Sequence, residues 1–156
     1  MTTTERKKKT TAKQTIARKK AGNAGSHVAR GGASHVKFPA AITAAIGAAH
    51  DKKAADVVVL NLRKSSAFTD YFILCTGHTV RQVTAIADAV QEALRALKLR
   101  PTHVEGYDRA EWVLMDYFDF IVHVFTPGTR QFYSLDRLWG QAERIEVPAP
   151  GDARAS

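Results

Sequence analysis

From Thr79 to Leu97 the chain describes a helix with one apolar side. Val80, Val83, Ala87, Val90, Leu94 and Leu97 recur at three- and four-residue spacing and form one continuous stripe. "TVRQ" at 79–82 opens it as a capping box, a hydroxyl for the free amides and a glutamine three residues on. Pro101 lies just past its end. Such a helix must lay its stripe on another apolar surface. The flanking segments supply one, because they are short, β-branched or aromatic runs: "VVVLNL" at 57–62, "DYFILCTG" at 70–77, "EWVLMDY" at 111–117 and "FIVHVF" at 120–125. The last two meet near Phe118–Asp119 and form a hairpin.

The remaining segments fit this frame. Pro39 opens a helix over 41–53, with Ile42, Ala45, Ile46 and Ala49 on one side. "RKSSAF" at 63–68 is a loop. "THVEG" at 102–106 and "RIEV" at 144–147 read as short strands, the latter at an edge. "TPG" at 126–128 breaks the chain. "TRQFYSLDRLWG" at 129–140 reads as one helix, with Phe132, Leu135 and Leu138 or Trp139 on one side and Gly140 as its stop. The sum is a mixed α/β domain, a sheet of about five strands covered by helices.

Charge divides the chain. Residues 1–38 carry ten Lys and Arg against one acid, and residues 39–156 thirteen against fourteen, so the formal excess of +8 lies in the first segment. That segment has too few large apolar groups to offset the entropy of ordering and reads as a disordered basic arm. Its partner is either a polyanion such as nucleic acid or nothing, the arm then being a solubilising tail. The domain spans 39–147, and 148–156 is a flexible C-terminal tail. No apolar run approaches the roughly 20 residues that span a bilayer, and no secretory signal is present, which points to the cytoplasm and away from membranes. The single cysteine, Cys75, lies in an apolar run and forms no internal disulfide.

The motifs of chemistry are thin. None of the six histidines pairs with another, or with Cys75, at metal-ligand spacing, so neither a metal nor a cofactor is expected. His123, between two valines, reads as a hydrogen-bonded sheet histidine. "CTGHTVRQ" lacks the lysine and spaced glycines of a phosphate loop. Ser65 and Ser66 have no nucleophile-elbow context. A nucleotidyltransferase-like enzyme would need two acids sharing a strand face, two residues apart, to hold Mg²⁺; Asp116 and Asp119 are three apart and straddle a turn. What stands out is "EGYDRAEWVLMDYFDFIVHVF" at 105–125, which mixes aromatics with five acids.

Together "SSAFTDYFILCTG", "TVRQVTAIADAV", the 105–125 segment and "RQFYSLDRLWG" resemble the Iojap family, whose bacterial members are ribosomal silencing factors. The resemblance covers about 41–147. It implies a nucleotidyltransferase-like fold without catalytic acids, and no enzymatic reaction. It further implies binding to the large ribosomal subunit through its protein L-fourteen, a steric block to subunit joining, and repression of translation under nutrient limitation. The basic arm would then contact ribosomal RNA, and an apolar sheet face and edge are compatible with a homodimer of the free protein. The alternatives are the nucleotidyltransferase-like enzyme and a general nucleic-acid binder acting through the arm. This chain departs from the family pattern in having Phe118 where the hairpin typically has Gly, implying a different turn type or an aromatic pushed outward. Ala110 stands at a position commonly Gly, Thr79 for Ser and Asp136 for Glu.

A docking face for a basic ribosomal protein pairs an aromatic anchor with acids. Trp112, Leu114 and Asp116 alternate onto one strand face. We therefore nominate Trp112 as anchor, Asp116 and Asp119 as charge partners, and Leu114, Tyr117 and Glu105 as further contacts. Trp139, with Leu138, is assigned to the core.

Overall fold

The computed structural model describes residues 37–65 and 67–151. The basic arm up to residue 36 and the end of the C-terminal tail lie outside the described residues. In chain order the elements are α1 (Ala40–Asp51), β1 (Ala55–Asn61), β2 (Tyr71–Thr76), α2 (Val80–Arg95), β3 (His103–Glu105), β4 (Trp112–Asp116), β5 (Phe120–Phe125), α3 (Pro127–Tyr133), α4 (Leu135–Leu138) and β6 (Glu143–Glu146). Six strands form one mixed sheet in the order β3-β4-β5-β2-β1-β6. All neighbours are antiparallel except the central pair, β2 with β5.

The two faces of this sheet differ. On one, α1 and α2 press Ile42, Ile46, Val83, Ile86, Val90 and Leu94 onto Val59, Ile73, Val113, Met115, Val122 and Val124, all buried. The stripe read from the sequence is the buried side of α2, except that Val80 and Leu97 at its ends are exposed. Thr79 caps α2 as expected: its Oγ1 accepts from the Gln82 amide at 3.0 Å. The Gln82 side chain accepts from the His78 amide and donates to the Lys52 and Lys53 carbonyls, which ties the start of α2 to the end of α1. Phe38 also joins this side, packing edge-to-face on Tyr71.

The other face is covered only in part. The expected helix over 129–140 is two short helices, α3 and α4, because Ser134 between them takes a left-handed backbone, φ +42°. The break turns Leu135 and Trp139 down onto Val58, Leu60, Phe72 and Leu74. It leaves Phe132 and Leu138 at 79% and 71% exposure, so neither is core. Arg130 pins α3 to the sheet, donating to the Asp56 carbonyl, to Thr76 Oγ1 and, through two nitrogens, to the Asp136 carboxylate. Burial alone would raise that carboxyl, but Arg130 and Arg144 hold it below the usual carboxylate range. Beyond α3, toward β4 and β3, no helix of the described residues covers the sheet.

Candidate docking face

The open edge of this partly covered face is built by β3 and β4, with β5 fully buried beside them. A three-residue connection, Tyr117–Asp119, joins β4 to β5 and fixes their register: Asp116 opposite Ile121, Leu114 opposite His123, Trp112 opposite Phe125. Alternation then places Trp112, Leu114 and Asp116 on the uncovered side, and the β3 pairing adds Glu105 across from Leu114. Four of the six nominated residues thus share one surface. Trp112 and Leu114 are half-buried against the Val58–Phe125 cluster, and the indole lies between the rings of Phe125 and Tyr133. Asp116 is buried; its Oδ1 accepts from the Phe118 amide at 2.8 Å. Glu105 is exposed and lies 2.7 Å from His103 Nε2.

The other two stand apart. Tyr117 is buried on the helix-covered side, stacked on Phe120 at 5.2 Å, and burial pushes its phenol up to about 12. It follows the last residue of β4, where the strand alternation turns it away from the uncovered side. Asp119 lies in the loop itself, half-buried, its carbonyl accepting from the Asp70 amide.

The turn answers the question raised by Phe118. Its φ is +78°, so the loop keeps the backbone a glycine would favour and carries a phenylalanine in it. The Asp119 amide bonds back to the Tyr117 carbonyl at 2.9 Å, a three-residue γ-type closure, and the Asp116 carboxylate clamps the Phe118 amide. Ala110 behaves alike, at φ +54°. Ahead of both, Gly106 has no substitute: at φ +77°, a Cβ there would lie 2.1 Å from the Trp112 carbonyl oxygen.

His123 is the hydrogen-bonded sheet histidine the sequence predicts, but neither it nor Tyr133 is nominated there for the face. His123 is buried beneath it; its Nδ1 accepts the Trp112 indole N–H at 3.1 Å, and its ring stands edge-on to Phe72 at 4.6 Å. Burial pushes its pKa down to about 3, against the opposite pull of Asp116. The hairpin register was the signal that would have found it. Tyr133 of α3 lies against the indole at 4.6 Å, and Phe132 stands edge-to-face beside it; the break at Ser134 that presents them left no mark in the apolar pattern.

Chemistry is not what this surface offers. Cys75 is fully buried on the far side, its thiol raised to about 12 by burial. Among the described residues no cluster of three or more His, Cys, Asp or Glu could hold a metal ion, and no helix is long and apolar enough to cross a membrane. The described residues thus form a mixed α/β fold with one aromatic, acid-edged sheet face.

Comparison with known proteins gives its family. The family described as ribosomal silencing factor during starvation matches residues 35–156. A ribosomal silencing factor of Halalkalibacterium halodurans is 40% identical over 103 residues, 66% of this chain and 88% of the relative. A crystal structure from Chromobacterium violaceum superposes with a TM-score of 0.64 at 34% identity, covering 73% of this chain and 96% of that one. A mouse protein named for mitochondrial assembly of the ribosomal large subunit is 27% identical over 70% of this chain and 49% of its own length. The chain belongs to the ribosomal silencing factor family, a regulatory and non-enzymatic one.

Proposed function

We propose that this protein binds the large ribosomal subunit through its protein L-fourteen, with the β3–β4 edge of the aromatic, acid-edged face as the contact, in the cytoplasm. Bound there, it blocks joining of the small subunit by occupying its place and lowers translation when nutrients are scarce. One observation carries the reading: Trp112 is an aromatic left half-buried at the open edge of this face, with Leu114 beside it and Asp116 and Glu105 on the same side of the sheet. A buried core tryptophan would be enclosed on all sides. The family name and that of the mouse relative support a ribosomal partner, the latter a large-subunit one. The acids steer a basic protein and disfavour others, while the aromatic anchor supplies affinity. Asp119, beside the hairpin turn, adds charge at the rim, and the basic arm adds a sequence-blind contact to ribosomal RNA.

Sedimentation with separated subunits tests this. Salt-resistant binding to large subunits alone is expected. Trp112→Ala should weaken it by tenfold or more, as an anchor worth about 2 kcal/mol would, while the melting curve stays cooperative. Salt-sensitive binding to both subunits would assign the activity to the arm, and a Trp112→Ala chain that fails to fold would make Trp112 core.

A further inference from the structure

The Trp112–His123 hydrogen bond dictates more than contact. An indole nitrogen can only donate, so His123 Nδ1 must accept and carry a lone pair. The neutral ring therefore bears its proton on Nε2. That Nε2 is buried and has no hydrogen-bond partner among the described residues. A buried donor left without an acceptor opposes folding, and a leucine at 123 would escape the cost. The histidine must therefore contribute through its other nitrogen.

That nitrogen holds the indole. Trp112 is flanked by the rings of Tyr133 at 4.6 Å and Phe125 at 5.2 Å, and neither contact fixes where the indole N–H points. His123 does, and its own ring is wedged by Phe72. We propose that His123 is a positioning residue of the docking face: by accepting the indole N–H it locks Trp112 in the orientation the ribosomal partner meets. The anchor then presents apolar ring, not its polar N–H, and its rotamer freedom is surrendered before binding instead of during it. This rests on Trp112 being the anchor.

Two measurements separate this inference from that reading. The first needs no ribosome. Long-range proton–nitrogen NMR of the wild-type chain at neutral pH should show His123 bare at Nδ1 and protonated at Nε2, with a slowly exchanging Trp112 indole proton. The opposite tautomer, a doubly protonated ring or a fast-exchanging indole would overturn the proposal. The second is a double-mutant cycle on large-subunit binding at fixed salt. His123→Leu should weaken binding about tenfold. His123→Asn, whose amide oxygen stands where Nδ1 stood, should recover to within about threefold of wild type. In a Trp112→Phe chain, which has no N–H to hold, His123→Leu should change binding less than about twofold. Equal losses in both backgrounds would overturn the proposal. If His123→Leu does not fold, His123→Asn decides: binding retained together with a protected indole supports positioning, and binding retained with the protection lost refutes it. A wild-type chain that ignores large subunits would defeat the docking reading while the NMR result still stood on its own.

Discussion

The two faces of the sheet are made by the same strands, residue by alternate residue, yet they hold different kinds of side chain. Beneath α1 and α2 the strand residues are almost all aliphatic: Val57, Val59, Ile73, Val113, Met115, Val122 and Val124. On the other side the same strands add, among Val58, Leu60, Leu74 and Ile121, the polar Thr76, Asp116 and His123, all buried, and Trp112. Aliphatic groups need only volume and contact, so the first face is satisfied by two amphipathic helices. Polar and aromatic groups need directed partners, and the second face supplies them one by one: Arg130 for Thr76, the Phe118 amide for Asp116, Trp112 for His123. One face is built for stability; the other holds oriented groups at a surface.

Acid should break this symmetry most strongly. His123 has a folded pKa of about 3 against an ordinary 6.5, so between those values the unfolded chain takes up a proton that the folded chain refuses. Stability is therefore intact above pH 6.5 and falls as pH drops toward 3, by up to about 5 kcal/mol in all. Urea melts at stepped pH would show it, and a His123→Asn chain should lose much of the slope. A stability flat between pH 6.5 and 4 in the wild type would contradict a buried neutral histidine.

Matched truncations sharpen the comparison. Leu94→Ala, under α2, should cost about 3 kcal/mol of stability and leave the affinity of the folded protein for large subunits unchanged. Leu114→Ala, half-buried on the other side, should cost about 1 kcal/mol or less and weaken binding several-fold. Denaturant melts and subunit binding, measured on both chains, would show whether the faces exchange these roles. The smallest effect is a gain. Phe118→Gly should relax the +78° backbone and raise the melting temperature by a few degrees, for about 1 kcal/mol; no gain would mean that the Phe118 ring contributes as much as its backbone costs.

How far the sequence disclosed this was set by the range of the interactions. Helices α1 and α2 and strands β1, β2, β4 and β5 were legible because their signals are local: a capping box, a stripe, β-branched runs, and a hairpin whose loop sits between two apolar segments. Trp112, Leu114, Asp116 and Glu105 fell on one surface because alternation along a strand is obligatory. Tyr117 was grouped with them by proximity in sequence, although the alternation turns it to the helix side. The break at Ser134 was not legible, since "FYSLDRLW" keeps helical spacing through it and the interactions that fix its geometry, Arg130 with Asp56, Thr76 and Asp136, come mostly from elsewhere in the fold. His123 looked ordinary because its partner is eleven residues away on another strand.

The sheet is two antiparallel triplets, β3-β4-β5 and β2-β1-β6, sewn along the single parallel seam of β2 with β5. That seam joins Tyr71 to Phe120 and must close a long stretch of chain before its pairing is rewarded. The proposed anchor belongs to one triplet, while Phe72, which wedges its histidine, belongs to the other. A molecule whose seam has opened keeps Trp112 and His123 together but loses the ring that wedges the histidine. The proposed positioning of the anchor is thereby tied to completion of the fold: a half-assembled chain would hold the tryptophan and its histidine without the support behind them.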